Sequence, residues 1–317
     1  MKFATKVVKI NNDNSSLLAQ CIQALHAWNL VVFPTETVYG LWADACNEDA
    51  VQKIFTTKKR PQDNPLIVHI ASLEQFSSLT KDVPDIIYRL IDVYRPGPLT
   101  LIVPKAPSIP DIVTAGLETV AIRFPSHPVA QQLIRESNLP LVAPSANISW
   151  RPSPTRAQHV LDDLNGEIPY ILDAWPCPIG IESTVIWSVD NELIMYRQWA
   201  ITKEMIENEI WVNIIWVEKQ QTQPPSPGMK YRHYSPQATI HIISQKDRED
   251  TISQLHNTNN IKFLSYKNAQ EMAHSLFHDF RQADKEWFGE IYVRAVEKTW
   301  LWRWVMERLR KAAGDIV

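Results

Sequence analysis

Glycine is scarce in this sequence. At ordinary usage near 7% a chain of this length would carry about 22, yet it has 8 in 317 residues, fewer than its 12 tryptophans. Cysteine is scarce too. Cys21, Cys46 and Cys177 are odd in number with no close pair, which fits a reducing compartment and argues against a disulfide framework or a structural zinc site. No run approaches the ~18 apolar residues of a membrane span. The start, Met1 to Lys6, leads into a strand-like run and not a signal sequence, so a cytoplasmic location is expected. An excess of one charge is also missing: 32 basic against 35 acidic side chains leave a net −3. No global field therefore favours wrapping nucleic acid, and any RNA contact is expected to be local and weak. Among motifs, the sequence has no phosphate-binding glycine loop, no dinucleotide fingerprint, no metal-ligand spacing and no Gly-x-Ser-x-Gly elbow. A nucleotide site has to be assembled from scattered residues.

What is present is a chain with 45% hydrophobic residues, enough for roughly two domains. Val7 to Ile10 reads as a strand. In the helix that follows, Leu18, Cys21, Ile22 and Leu25 share a face. Leu30 to Phe33 is a second strand running into Pro34-Thr35-Glu36-Thr37-Val38-Tyr39-Gly40-Leu41. Polar residues at a strand's carboxyl end are where ligands sit in open α/β sheets, although a plain turn fits as well. Asn47 caps a helix ending in Lys58-Lys59-Arg60-Pro61, with three cations at a helix end. Gln62-Asp63-Asn64-Pro65 then feeds a strand from Leu66 to Ile70 that contains His69. Ser72 with Gln75, and Thr155 with Gln158, form capping-box patterns.

Further strands are expected at Leu99–Val103, Thr119–Pro125, Leu139–Ala143 and Ile168–Asp173, with a hairpin from Ile179–Ile186 to Leu193–Tyr196. Arg123 lies among apolar neighbours and needs an anionic partner from protein or ligand. Pro144 to Ser149 forms a shelf of small hydroxyl and amide groups. The expected division is a domain over 1–212, an extended segment over 213–236 rich in basic and aromatic residues, and a small α/β domain over 237–317 with helices near 247–256, 268–280 and 300–312.

Five segments carry a resemblance: Pro34 to Leu41, Lys58 to His69, Arg95-Pro96-Gly97-Pro98, Ala143 to Asn147 and Glu182 to Val185. In order and spacing they closely resemble the YrdC-like threonylcarbamoyl-AMP synthases. Ser226-Pro227-Gly228-Met229-Lys230-Tyr231-Arg232-His233-Tyr234-Ser235-Pro236 and the second domain resemble the longer, two-domain branch. The resemblance implies an α/β fold with a twisted open mixed sheet, plus a smaller Rossmann-like C-terminal domain. It implies a nucleotidyltransferase that joins L-threonine, bicarbonate or CO2, and ATP into threonylcarbamoyl-AMP and pyrophosphate. Downstream proteins then transfer the threonylcarbamoyl group to tRNA.

Carried onto this chain, the resemblance assigns threonine to Thr35, His69, Arg123, Ser145 and Ser183. It assigns ATP to Lys58, Arg60, Asn64, Thr119, Ala143, Ser145, Asn147, Ser153 and Arg197, with Tyr234 closing over the nucleotide. Lys58 and Arg60 would stabilise charge on the departing pyrophosphate, and Mg2+ would enter with ATP rather than on protein side chains. Two alternatives are a carbamoyl-transfer maturation enzyme and a non-catalytic RNA-binding module. The first would want acylphosphatase-like and zinc-finger regions, for which length and cysteines are lacking. The second is disfavoured by the near-neutral charge.

The tryptophans break the pattern. Trp42, Trp150, Trp175 and Trp199, with Trp300 and Trp302 of Trp300-Leu301-Trp302, stand where the resembled family has glycine, and Trp28 and Trp304 follow suit. Trp211 and Trp216 read as ordinary core residues. The largest side chain replacing glycine at tight loops removes φ freedom and close backbone approach. The expectation is that the source reads UGA as glycine, so that these positions are glycine in the protein as made.

Overall fold

A computed structural model describes residues 2–10, 15–189, 192–216, 234–243, 260–296 and 302–313. The helix expected near 247–256 and most of the 213–236 segment lie outside the described residues. An eleven-stranded mixed sheet dominates. Its strands are β1 (Lys6–Lys9), β2 (Val31–Pro34), β3 (Tyr39–Asp44), β4 (Ile67–His69), β5 (Leu99–Pro104), β6 (Thr119–Arg123), β7 (Leu141–Val142), β8 (Tyr170–Asp173), β9 (Thr184–Val189), β10 (Glu192–Arg197) and β11 (Ile214–Trp216). They lie in the order β1-β8-β2-β3-β7-β4-β6-β5-β9-β10-β11. A separate parallel sheet, β12-β14-β13, is formed by β12 (Thr239–Ile243), β13 (Ile261–Leu264) and β14 (Glu290–Arg294).

The polar stretch after Phe33 makes the turn that the sequence allowed, and it leads into a strand that the sequence did not announce. Residues 35–38 are the turn of a hairpin, and β3 returns antiparallel to β2, with Val31 opposite Trp42 and Phe33 opposite Gly40. The expected β9–β10 hairpin is there, antiparallel with an irregularity near Arg197. Asn47 caps its helix (Glu48–Lys58) by accepting from the Ala50 N–H at 2.8 Å. Ser72 likewise accepts from the Gln75 N–H. The Thr155 box does not form: the helix Ala157–Leu164 has Arg156 at its N-cap, and the Thr155 N–H goes to His159 Nδ1.

The second domain docks through the helix Ala269–Lys285. Its Arg281 donates to the Asp163 carboxylate (Nη2 to Oδ2, 2.8 Å) and to the Pro152 carbonyl, and Arg151 shares the same buried Asp163 at 2.6 Å. Gly180, at φ +81, lets the helix press close: a Cβ there would fall 2.7 Å from the Ala273 carbonyl oxygen. Nearby, His159 Nε2 meets His278 Nδ1 at 3.0 Å. Burial, then Arg281, His278, Arg156 and Lys285, push the His159 pKa down to about 2. The folded imidazole refuses a proton that the unfolded one takes up near pH 6.5, so stability is full above that pH and declines as pH falls, by up to about 1.4 kcal/mol per pH unit. Denaturation midpoints between pH 7 and pH 5 should fall accordingly, and His159→Gln should flatten the decline. An unchanged slope in that variant would remove His159 as the cause.

Five tryptophans occupy left-handed backbone: Trp28 (φ 60), Trp150 (φ 81), Trp175 (φ 67), Trp211 (φ 53) and Trp287 (φ 62). For a bulky residue this region is an outlier. At Trp28 the Trp28 N–H reaches the Leu25 carbonyl and the Asn29 N–H the Ala24 carbonyl. Trp287 and Phe288 repeat the pattern on Asp284 and Ala283. This is the Schellman helix end, whose left-handed residue is usually glycine. Trp211 is corrected by the structure: it is a left-handed helix C-cap, 86% exposed, and not a core residue. Trp287 carries the same signature, and it was missed because no motif surrounds it. Trp199 is buried with its indole N–H unpartnered among the described residues, and Trp302 is half-buried. Trp300 and the Trp304 side chain lie outside what is described.

Candidate active site

The β2–β3 turn builds one wall. The Thr35 hydroxyl donates to the Val38 carbonyl (2.9 Å) and accepts from the Thr37 N–H (3.1 Å), so it shapes the turn. That turn aims Glu36 inward. Its Oε1 pairs with Arg123 Nη2 at 2.5 Å and its Oε2 accepts from the Ser126 N–H at 3.1 Å. Arg123 Nη1 also donates to Thr37 Oγ1 at 3.0 Å. The anionic partner expected for Arg123 is thus supplied by the protein.

β4 and β6 are parallel neighbours, with His69 opposite Arg123 at their carboxyl ends, the edge where open α/β sheets bind ligands. Burial and the Arg123 charge hold the His69 pKa well below the ordinary imidazole value, so the ring is neutral at pH 7. Across the cavity, Ser183 Oγ shares a hydrogen bond with Thr100 Oγ1 at 2.7 Å. Arg197, at the end of β10, donates through Nε to the Ser183 carbonyl (2.7 Å) and through Nη2 to Ser183 Oγ (3.2 Å).

The structure brings Thr35, Arg60, His69 and Arg123 together with Ala143, Ser145, Ser183, Arg197 and Tyr234 around one cavity of about 90 Å3. Lys58 stands behind its wall. The ammonium donates to the Ser145 and Asn147 carbonyls, both at 2.5 Å, and burial with the nearby Arg60 pushes its pKa well below the ordinary value. That is a loop-holding role in this structure. Asn147 supports the same loop through Nδ2, donating to the Ile148 and Arg151 carbonyls. Ser153 donates to Glu182 at 2.7 Å. Thr119 opens β6, about 13 Å along the strand from Arg123 at ~3.3 Å per residue and on the same face; it is not on the cavity wall.

Among the described residues, buried polar atoms without a hydrogen-bond partner include Asn64 Nδ2, His69 Nδ1, Asn147 Oδ1 and Glu182 Oε2. Such atoms are costly unless something else satisfies them. Three belong to residues picked out in the sequence; Glu182 does not, although it sits in the same motif as Ser183. Glu36 and Thr37 were likewise visible only as residue types, because their partner Arg123 is some 87 positions away.

Trp42 fills part of the same space. Its ring stacks on Phe33 at 4.1 Å between centroids, meets His69 edge-on at 4.6 Å, and donates from Nε1 to the Phe33 carbonyl. It presses so close to Gly40 that a Cβ there would lie 2.6 Å from Nε1. The cavity is left at less than a third of the ~300 Å3 at the lower end of small-molecule pockets.

Residues 23–198 match the Sua5–YciO–YrdC profile, described under telomere recombination, and residues 201–314 match the C-terminal domain of threonylcarbamoyl-AMP synthase. The threonylcarbamoyl-AMP synthase of Bacillus subtilis is 51% identical over 236 residues, covering 73% of this chain and 68% of the relative. That of Pyrococcus abyssi is 40% identical over 308 residues, 90% of each. The crystal structure of P. abyssi Sua5 complexed with L-threonine superposes with a TM-score of 0.91 at 37% identity, covering 98% of both chains. With one profile spanning more than half of the sequence and a second completing it, the chain belongs to the Sua5–YciO–YrdC family, in its two-domain threonylcarbamoyl-AMP synthase branch.

Proposed function

We propose that this cavity joins L-threonine, bicarbonate or CO2, and ATP into threonylcarbamoyl-AMP and pyrophosphate. The observation that carries the reading is the convergence of Arg60, Arg123 and Arg197 with a neutral His69 and the Ser183 hydroxyl on one cavity, in a chain that matches an L-threonine-bound relative over nearly its whole length. Arg123 and Ser183 receive the amino acid, its carboxylate on the guanidinium. Arg60 and Arg197 face the phosphates, where adenylyl transfer needs charge neutralisation and alignment more than a protein nucleophile. Tyr234, stacked on Phe277 of the second domain at 5.1 Å, closes the nucleotide side. Mg2+ is expected to enter on the triphosphate and share its charge. The product passes to proteins that modify tRNA in the cytoplasm.

The test is pyrophosphate release from ATP that requires both threonine and bicarbonate, with labelled bicarbonate recovered in an adenylate. It is run on the chain with glycine at positions 28, 42, 150, 175, 199, 211, 287, 300, 302 and 304. Tight RNA binding without such release would overturn the reading in favour of a binding module, and carbamoyl phosphate consumption in favour of a maturation enzyme.

A further inference from the structure

Three guanidinium groups line the cavity, and among the described residues one carboxylate does, that of Glu182. Glu36 stands outside the lining with both oxygens occupied, one by Arg123 and one by the Ser126 N–H. Among the described residues Glu182 is held from one side only: Oε1 accepts from Ser153 Oγ at 2.7 Å, while Oε2 is buried with no hydrogen-bond partner there. A buried carboxylate oxygen without a donor is unfavourable, so a ligand donor is the natural complement. Its backbone is well fixed. The preceding turn is clamped against the helix Ala269–Lys285 at Gly180, and Ser183, the next residue, is bonded to Thr100 and Arg197.

We propose that Glu182 receives the α-ammonium of the amino-acid substrate and takes its proton. This rests on the reaction assigned above. An amino acid brings one carboxylate and one ammonium. Arg123 complements the first, and the residues assigned to threonine include no negative charge for the second. His69 is poorly placed to serve, since it lies beside the Arg123 cation, which repels an ammonium. The amine has to lose a proton before its lone pair can attack carbon. Glu182 Oε2 accepts that proton, leaving a neutral amine and a protonated carboxyl. The N–C bond then forms as one C–O π bond of CO2 breaks, and the second N–H proton leaves to water to give the carbamate. A carbamate oxygen displaces pyrophosphate from the α-phosphorus of ATP.

Among the described residues, the charged and titratable groups that feel the Glu182 charge are Arg197 of β10, Tyr234, and Arg308 of the last helix (Trp302–Ala313). Arg308 is buried, with Nε and Nη2 also unpartnered among the described residues. A direct Glu182–Arg308 ion pair is therefore the rival account, and it is purely structural.

The experiment compares Glu182→Gln, Glu182→Asp and Arg308→Ala in the glycine-bearing chain, reading threonine binding by calorimetry, the threonine and ATP KM values, and the pH profile of kcat/KM. The binding probe is 2,3-dihydroxybutanoate, in which a hydroxyl replaces the ammonium. Glu182→Gln is expected to weaken threonine binding at least tenfold and to flatten the acidic limb of the profile. ATP KM should stay within about twofold and binding of the hydroxy acid should be unchanged. Glu182→Asp is expected to recover part of the loss. Equal loss for ATP and threonine overturns the proposal, and so does a fall in melting temperature shared with Arg308→Ala while threonine binding holds. If no variant forms the adenylate, the reaction reading fails, while a threonine-binding loss confined to Glu182→Gln still supports the ammonium site.

Discussion

Substituting glycine for Trp28, Trp150, Trp175, Trp211 and Trp287 is expected to stabilise the chain by about 1–2 kcal/mol at each position, the usual cost of left-handed backbone for a residue with a Cβ. Their φ values run from 53 to 81. Trp175, Trp211 and Trp287 are 67–86% exposed, so little packing is lost there, while Trp28 and Trp150, at 49% and 38%, give back part of the gain as lost contact. Taken together the gain is comparable with the ~5–15 kcal/mol that holds an ordinary domain folded. Trp42 carries the opposite sign. It is fully buried in β3, and its removal should cost about 3–5 kcal/mol while emptying the space between Phe33, Gly40 and His69. Substrate binding is expected only when residue 42 is glycine. The common origin expected for the two effects is a UGA codon read as glycine, which would put glycine at all six positions. Peptide masses of the protein from its native source should show it, and tryptophan masses at 42, 150 and 175 would sink the idea. Melting temperatures of the five single variants test the backbone argument by itself.

Local signals in the sequence were reliable where one residue acts on its own neighbours. Asn47 and Ser72 cap their helices because a side-chain oxygen three residues upstream is all an N-cap needs. The β9–β10 hairpin follows from alternation and a short connection. The Phe33–Leu41 stretch was harder. Thr35 folds the chain back through bonds to Thr37 and Val38, but Glu36 can be buried there only because Arg123 reaches it from another strand. The same distance effect governs the site. Arg60, His69, Ser145 and Ser183 were recognisable from their motifs, yet nothing local to Lys58 says that its ammonium would be spent on the carbonyls of residues 145 and 147. Trp211 differs for another reason: its hydrophobicity suggests a core position, whereas left-handed backbone at a helix end places it in solvent.

Arg123→Ala should abolish most threonine use while sparing ATP binding. Of the five N–H groups of the guanidinium, three point to Gly97, Thr37 and Glu36, and the other two, without a partner among the described residues, suit a ligand carboxylate. Removing the side chain also strands a buried carboxylate, since Glu36 is only 8% exposed. Breaking one side of such a pair costs about 3–5 kcal/mol, so a loss of activity in the single variant could reflect folding alone. The double variant Arg123→Ala with Glu36→Gln separates the two effects. It removes the stranded charge and should return most of the lost melting temperature, but the threonine KM should stay at least tenfold raised with the ATP KM near its starting value. Recovery of threonine use in the double variant would reduce Arg123 to a counter-ion for Glu36. Equal loss of threonine and ATP would move the amino-acid pocket elsewhere. The outcome expected here, stability restored without threonine, would assign Arg123 two tasks carried by different hydrogens of one guanidinium: holding the β2–β3 turn and receiving the substrate's carboxylate.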